Sequence, residues 1–180
     1  LVLVYIINNL LKKVENYVDV VKDQVEYLQN ISKTVSASRQ HLKTLVCQNC
    51  KGMDDFCLQA LASCMQRFRR LQCVDLSRGS SYSDEGFLTV LTATPKLLTR
   101  LNMANCHNLS SLAITALRNK MPALTYLDLS HLQLSQTCYE WVTEGCNNLE
   151  TLILKKHKLK TMFTLKDMIG NESRIYCVGV

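Results

Sequence analysis

Six apolar positions recur along the chain at an almost constant interval. Leu42, Leu71, Leu98, Leu124, Leu149 and Ile175 stand 29, 27, 26, 25 and 26 residues apart. Three places after each come Leu45, Val74, Leu101, Leu127, Leu152 and Val178, and five places after come Cys47, Leu76, Met103, Leu129, Leu154 and Val180. Chance composition does not return one class of side chain to three columns in six registers. The chain is therefore built from a repeated unit. A unit this short is one supersecondary element that cannot bury its own apolar face, so successive units must stack.

The columns give each unit its parts. Apolar residues at the third and fifth places alternate with outward ones, the pattern of a short strand with one face in a core. Cys50, Gly79, Cys106, Leu132 and His157, eight places on, mark the corner where the strand ends. Leu58, Phe87, Ile114, Glu140 and Leu165 stand at the sixteenth place, and Leu61, Val90, Leu117, Thr143 and Met168 at the nineteenth. Columns three apart suit the inward stripe of a helix. Asp54, Ser83 and Ser110 precede that stripe and have the side chains to accept the first free helical N–H groups, so they read as N-caps.

The run Cys146-Asn-Asn-Leu149-Glu-Thr-Leu152-Ile-Leu154, the run Leu98 to Cys106 and the segment Ser83-Asp84-Glu85-Gly86-Phe87 resemble the cysteine-containing subtype of leucine-rich repeat. That subtype is best known from F-box/leucine-rich-repeat proteins, the substrate receptors of cullin ubiquitin ligases. The resemblance runs from about Arg39 to Val180, with the corner cysteine kept at Cys50 and Cys106 and no F-box motif in this chain. It implies an α/β leucine-rich-repeat solenoid, right-handed, with short parallel strands on a concave face and helices on a convex face. It also implies binding of a protein partner, in one form as a ubiquitin-ligase substrate receptor.

Strand residues between the core columns face away from the core. They are Thr44, Cys73, Arg100, Tyr126 and Thr151 at the second place, and Val46, Asp75, Asn102, Asp128 and Ile153 at the fourth. Arginine and tyrosine dominate interface energies, and Arg100 and Tyr126 fall on neighbouring strands. Together with Asp75, Asn102 and Asp128 they form the expected partner-binding patch. The plain alternative is a soluble sheet face.

Chemistry of other kinds finds little footing. His41, His107, His131 and His157 lie in separate registers without an accompanying acid–cysteine motif, and no glycine-rich phosphate loop is present, so no catalytic residue, cofactor or enzyme activity is expected. The net charge of +6 leans basic, and its densest run, Lys155 to Lys160, follows the fifth strand. This run is either a contact for an acidic partner, RNA or a headgroup, or simply a solvated rim; with no aromatics interleaved, stacking on nucleic acid is not expected. Cys47, Cys50, Cys57 and Cys64 have the spacing to raise a zinc site. Cys47 and Cys50, however, occupy core and corner columns, which favours small apolar thiols and no metal. Nine cysteines without the spacing of a secreted domain point to a reducing intracellular compartment, the cytoplasm foremost.

The first 38 residues differ from the rest. Leu3, Ile7, Leu10, Val14, Tyr17, Val21, Leu28, Ile31 and Val35 step by threes and fours, broken only by Gln24, which predicts a long amphipathic N-terminal helix with a linker over 32–38. Its apolar stripe is wider than a two-stranded seam. It either caps the first unit or docks on a partner or a second copy. Only seven apolar residues precede Asn8, against roughly 20 for a membrane span, so membrane attachment is not expected. A first residue of Leu suggests sequence upstream. The organisation read here is thus 1–38 as helix and linker and 39–180 as five to six repeats. A structural subunit of a large assembly is the second functional class.

Overall fold

The computed structural model describes residues 42–155, apart from 51, 52, 67, 119, 136, 139–141, 143 and 144, together with Tyr176–Val178. The expected N-terminal helix and the lysines from Lys156 to Lys160 lie outside the described residues.

The described chain is an α/β structure. Three helices alternate with the first four of six short strands: β1 (Thr44–Val46), α1 (Asp55–Met65), β2 (Cys73–Asp75), α2 (Asp84–Ala93), β3 (Arg100–Asn102), α3 (Ser111–Thr115), β4 (Tyr126–Asp128), and then β5 (Thr151–Ile153) and β6 (Tyr176–Val178). They form one parallel sheet in chain order, β1-β2-β3-β4-β5-β6. The sequence columns are its register, with Leu45 opposite Val74, Val74 opposite Leu101, Leu101 opposite Leu127, and Leu127 opposite Leu152.

The last strand corrects the reading. Leu152 pairs with Cys177 rather than Val178, one residue earlier than the Ile175 register requires. A one-residue slip exchanges the two faces of a strand. The run Ile175-Tyr176-Cys177-Val178 is apolar at every place, so alternation does not discriminate between the two registers.

Burial follows the columns. Leu45, Val74, Leu101, Leu127 and Leu152 at the third place and Cys47, Leu76, Met103, Leu129 and Leu154 at the fifth are all buried. Facing them are Leu58, Phe87 and Ile114 and then Leu61, Val90 and Leu117, so helix and strand stripes meet in one core.

Backbone bonding repeats from unit to unit. The carbonyl of Lys43 accepts from the N–H groups of both Gln72 and Cys73; Gln72 does the same for Thr99 and Arg100, Thr99 for Thr125 and Tyr126, and Thr125 for Glu150 and Thr151. The ladder continues past each strand, with Asn49 donating to Ser77, Arg78 to Ala104, Asn105 to Ser130 and His131 to Lys155. The donors Asn49, Arg78, Asn105 and His131 have φ of 53, 60, 62 and 64°. The left-handed turn thus falls seven places into the unit, not at the eighth. The eighth place, with Cys50, Gly79, Cys106 and Leu132, folds inward and is buried. Asparagine tolerates this conformation better than most residues, which suits Asn49 and Asn105 to the turn.

The caps lie where the sequence places them. Asp54 Oδ1 accepts from the Cys57 N–H at 2.9 Å, Ser83 Oγ from Glu85 N–H at 3.2 Å, and Ser110 Oγ from Leu112 N–H at 3.1 Å. Neighbouring caps are also tied together. Asp55 Oδ1 and Oδ2 accept from the N–H and hydroxyl of Ser83, both at 2.7 Å, and Asp84 takes Ser110 in the same manner. A parallel bridge between Asp54 and Ser81 runs alongside.

One buried polar knot sits between the second and third units. The Tyr82 hydroxyl donates to the Leu76 carbonyl and lies 3.1 Å from Cys106 Sγ, which is itself 3.3 Å from the same carbonyl. Gly79 makes room for it, since an added Cβ would overlap the Tyr82 ring.

Candidate partner-binding face

The parallel register turns two sequence columns into two rows on the sheet face away from the core. Cys73, Arg100, Tyr126 and Thr151 are successive register partners in one row; Asp75, Asn102, Asp128 and Ile153 are successive partners in the other. Each outward residue flanks a buried one, and Arg100 is exposed while Asp75, Asn102, Tyr126 and Asp128 are half-buried. All five residues expected at the site, Asp75, Arg100, Asn102, Tyr126 and Asp128, therefore come together on β2, β3 and β4.

Within the first row the guanidinium carbon of Arg100 lies 4.3 Å from the centroid of the Tyr126 ring. A cation over an aromatic face is attracted by the ring quadrupole, and this contact restricts the long arginine side chain before any partner arrives. Burial pushes the Tyr126 phenol up, with Asp128 adding to the effect and Arg100 opposing it. Cys73, next along the row, has its thiol pushed up chiefly by burial, again opposed by Arg100.

The second row is held by the backbone. Asp75 Oδ1 accepts from Ser77 N–H at 2.9 Å, Asn102 Oδ1 from Ala104 N–H at 3.1 Å, and Asp128 Oδ1 from Ser130 N–H at 2.9 Å. Across the strands Asn102 Nδ2 donates to Asp75 Oδ2 at 3.0 Å. A short polar side chain that caps the N–H two residues on is a local turn device. The repeated Asp-x-Ser of Asp75 to Ser77 and Asp128 to Ser130 was its signal in the sequence. Asp128 is thus anchored through one oxygen, and Asp75 and Asn102 at both ends of their side chains. The face combines guanidinium donors, a phenol and carboxylate acceptors, a set suited to noncovalent recognition.

The cysteine cluster has a different character. Cys47 and Cys50 are both buried and hydrogen-bonded to each other, which raises the Cys47 thiol and lowers that of Cys50. Cys47, Cys73, Cys106, Cys138 and Cys146 are free thiols. Among the described residues no three of histidine, cysteine, aspartate and glutamate gather as a metal ion would need. Nor is any helix among the described residues long and apolar enough to cross a membrane.

No family model matches the chain, and no curated protein matches it. Among solved structures it is similar to leiomodin-1 actin-binding site 2 (ABS2), with a TM-score of 0.60 and 12% sequence identity over 77% of this chain and 84% of that one. At that identity the likeness is one of fold.

Proposed function

We propose that this chain is a leucine-rich-repeat solenoid whose units span 39–180, and that it is a non-enzymatic module binding a protein partner on its concave sheet face through Asp75, Arg100, Asn102, Tyr126 and Asp128. The observation that carries the reading is the stacking of Arg100 over Tyr126 beside the anchored row of Asp75, Asn102 and Asp128. Interface energy concentrates in arginine and aromatic anchors that are ordered before binding, and curved repeat arrays use their strand face for ligands. The strand order, one strand per unit in chain sequence, and the recurring columns support the solenoid. A protein-binding role is in keeping with a fold shared with an actin-binding site.

In its finer form the module is a substrate receptor of a ubiquitin ligase, a reading that rests on the resemblance of the repeats. The alternative is a structural subunit held in a larger assembly, favoured by the apolar stripe over residues 3–35, which would dock against neighbours. The free thiols of Cys47, Cys73, Cys106, Cys138 and Cys146 among the described residues support residence in a reducing, intracellular compartment.

The test is affinity capture from native lysate with the wild-type chain and with an Arg100→Glu/Tyr126→Ala variant, followed by mass spectrometry. Partners lost in the variant, with a cullin adaptor among those recovered, support the receptor. A fixed set of subunits that survives both changes moves binding away from this face and favours the structural role.

A further inference from the structure

A second surface lies at the end of the units opposite the helix caps. Each unit closes with the same backbone turn, in which the N–H of the next unit's first leucine donates to the carbonyl three residues earlier. The pairs are Leu71 to Phe68, Leu98 to Pro95, Leu124 to Met121 and Leu149 to Cys146. The middle residues of these turns are Arg69-Arg70, Lys96-Leu97, Pro122-Ala123 and Asn147-Asn148. Adjacent turns touch, since Asn148 Nδ2 donates to the Pro122 carbonyl at 2.6 Å. With strands about 4.8 Å apart, Arg69 and Lys96 are neighbours in one row of turns, and Arg70 and Leu97 in the next.

Arg69, Arg70 and Lys96 are exposed, and Leu97 is 62% exposed, among the most open large apolar side chains of the described residues. None of the four turns contains a carboxylate. Of the acids of the same units, Asp75 lies on the sheet face, and Asp54, Asp55, Asp84 and Glu85 stand around the first turns of α1 and α2, a helix length away, where Asp55 and Asp84 are occupied by Ser83 and Ser110. Arg69, Arg70 and Lys96 thus have no acid within their own turns, and the acid of this edge, Glu150, stands beside the fourth turn. Lys120, also exposed, extends the positive edge toward the third turn.

We propose that this row of return turns docks an acidic protein segment that carries an apolar residue, with Arg69, Arg70 and Lys96 pairing its carboxylates and Leu97 covering its side chain. A rim of one sign raises the encounter rate with the opposite charge. Leu97 gives the rim a preference that charge alone lacks, and the one aromatic of these turns, Phe68, is buried and offers nucleic-acid bases no face to stack on.

The probe is a fluorescein-labelled glutamate-rich peptide with a central leucine, titrated into the full chain at low and physiological ionic strength and followed by anisotropy. Saturable binding is expected, weakened by salt and at least about tenfold weaker in Arg70→Glu/Lys96→Glu, by the arithmetic of about 1.4 kcal/mol per decade. Leu97→Ser is expected to weaken it too, while Thr89→Ala, on the exposed side of α2, leaves it unchanged, and thermal melts check that each variant is folded. Equal binding by the rim double variant overturns the proposal. So does indifference to Leu97, or a single-stranded oligonucleotide that displaces the peptide more effectively than unlabelled peptide does.

Discussion

Asp55 holds Ser83 with both oxygens of its carboxylate, one on the backbone N–H and one on the hydroxyl, across 28 residues of sequence. Ser83 is at the same time the N-cap of α2. One residue of the first helix thus orients the start of the second.

Removing that grip should cost stability. Asp55→Ala leaves two donors of a half-buried serine without their charged acceptor and is expected to destabilise by about 1–3 kcal/mol. Asp84→Ala, whose bonds to Ser110 are exposed to water, is expected to cost less. Urea unfolding of the two variants beside the wild type reads the difference, and equal losses would mean that the cap ties act independently of burial.

The knot around Tyr82 separates two kinds of damage. Tyr82→Phe removes the hydroxyl but leaves Cys106 Sγ near the Leu76 carbonyl, so the expected loss is about 1 kcal/mol. Gly79→Ala drives a Cβ into the ring itself, forcing the ring to shift at a cost of about 1–3 kcal/mol. The double variant should recover only part of the Gly79→Ala loss, because the ring carbons stay in the way when the equally close hydroxyl is gone. Thermal melts of the three variants check the ranking.

Alkaline pH should weaken the fold. Burial pushes the thiols of Cys57, Cys138 and Cys146 up to about 11, and burial raises the Tyr82 phenol as well. An unfolded thiol ionises near 8.5, by about two units the easier event. The folded state therefore keeps protons that the unfolded chain has released. Stability is complete below about pH 8.5 and falls as pH rises toward 11. Urea midpoints at pH 7, 9 and 10.5 should decline in that order, and Cys146→Ala should make the decline shallower.

Two serines at the sixth place of their units make opposite predictions. Ser130 Oγ accepts from the Lys155 N–H at 3.1 Å, whereas Ser77 Oγ is buried with no hydrogen-bond partner among the described residues. Ser130→Ala is expected to lose about 1 kcal/mol. Ser77→Ala is expected to be neutral or to gain up to about 1 kcal/mol, since a buried hydroxyl without a partner is costly. A loss at Ser77 equal to that at Ser130 would show that its hydroxyl is satisfied in solution.

The columns made much of this structure legible. Leucine at Leu45, Leu101, Leu127 and Leu152 carries both the strand positions and their register, because a parallel array of equal units repeats its apolar period. The patch of Asp75, Arg100, Asn102, Tyr126 and Asp128 was legible for the same reason, as two outward columns. Three features were not. The left-handed residue one place before the corner went unread, since Arg78 and His131 carry no turn signature. The register of β6 was undetermined, since Tyr176, Cys177 and Val178 alternate in nothing. The ties from Asp55 to Ser83 and from Tyr82 to Cys106 join side chains of separate units, and only the stacked distance brings them together.

The shared carbonyls of Lys43, Gln72, Thr99 and Thr125 bind each unit to the next one in the chain. Tension applied along the chain from one end would load these bonds in sequence and not all at once. The outermost unit would peel while those behind it stayed folded. Drawn out, a unit of 26 residues, such as that from Leu98 to Ala123, extends about 90 Å at roughly 3.4 Å per residue. Such a chain resists pulling as a staircase of small equal yields and not as one rupture.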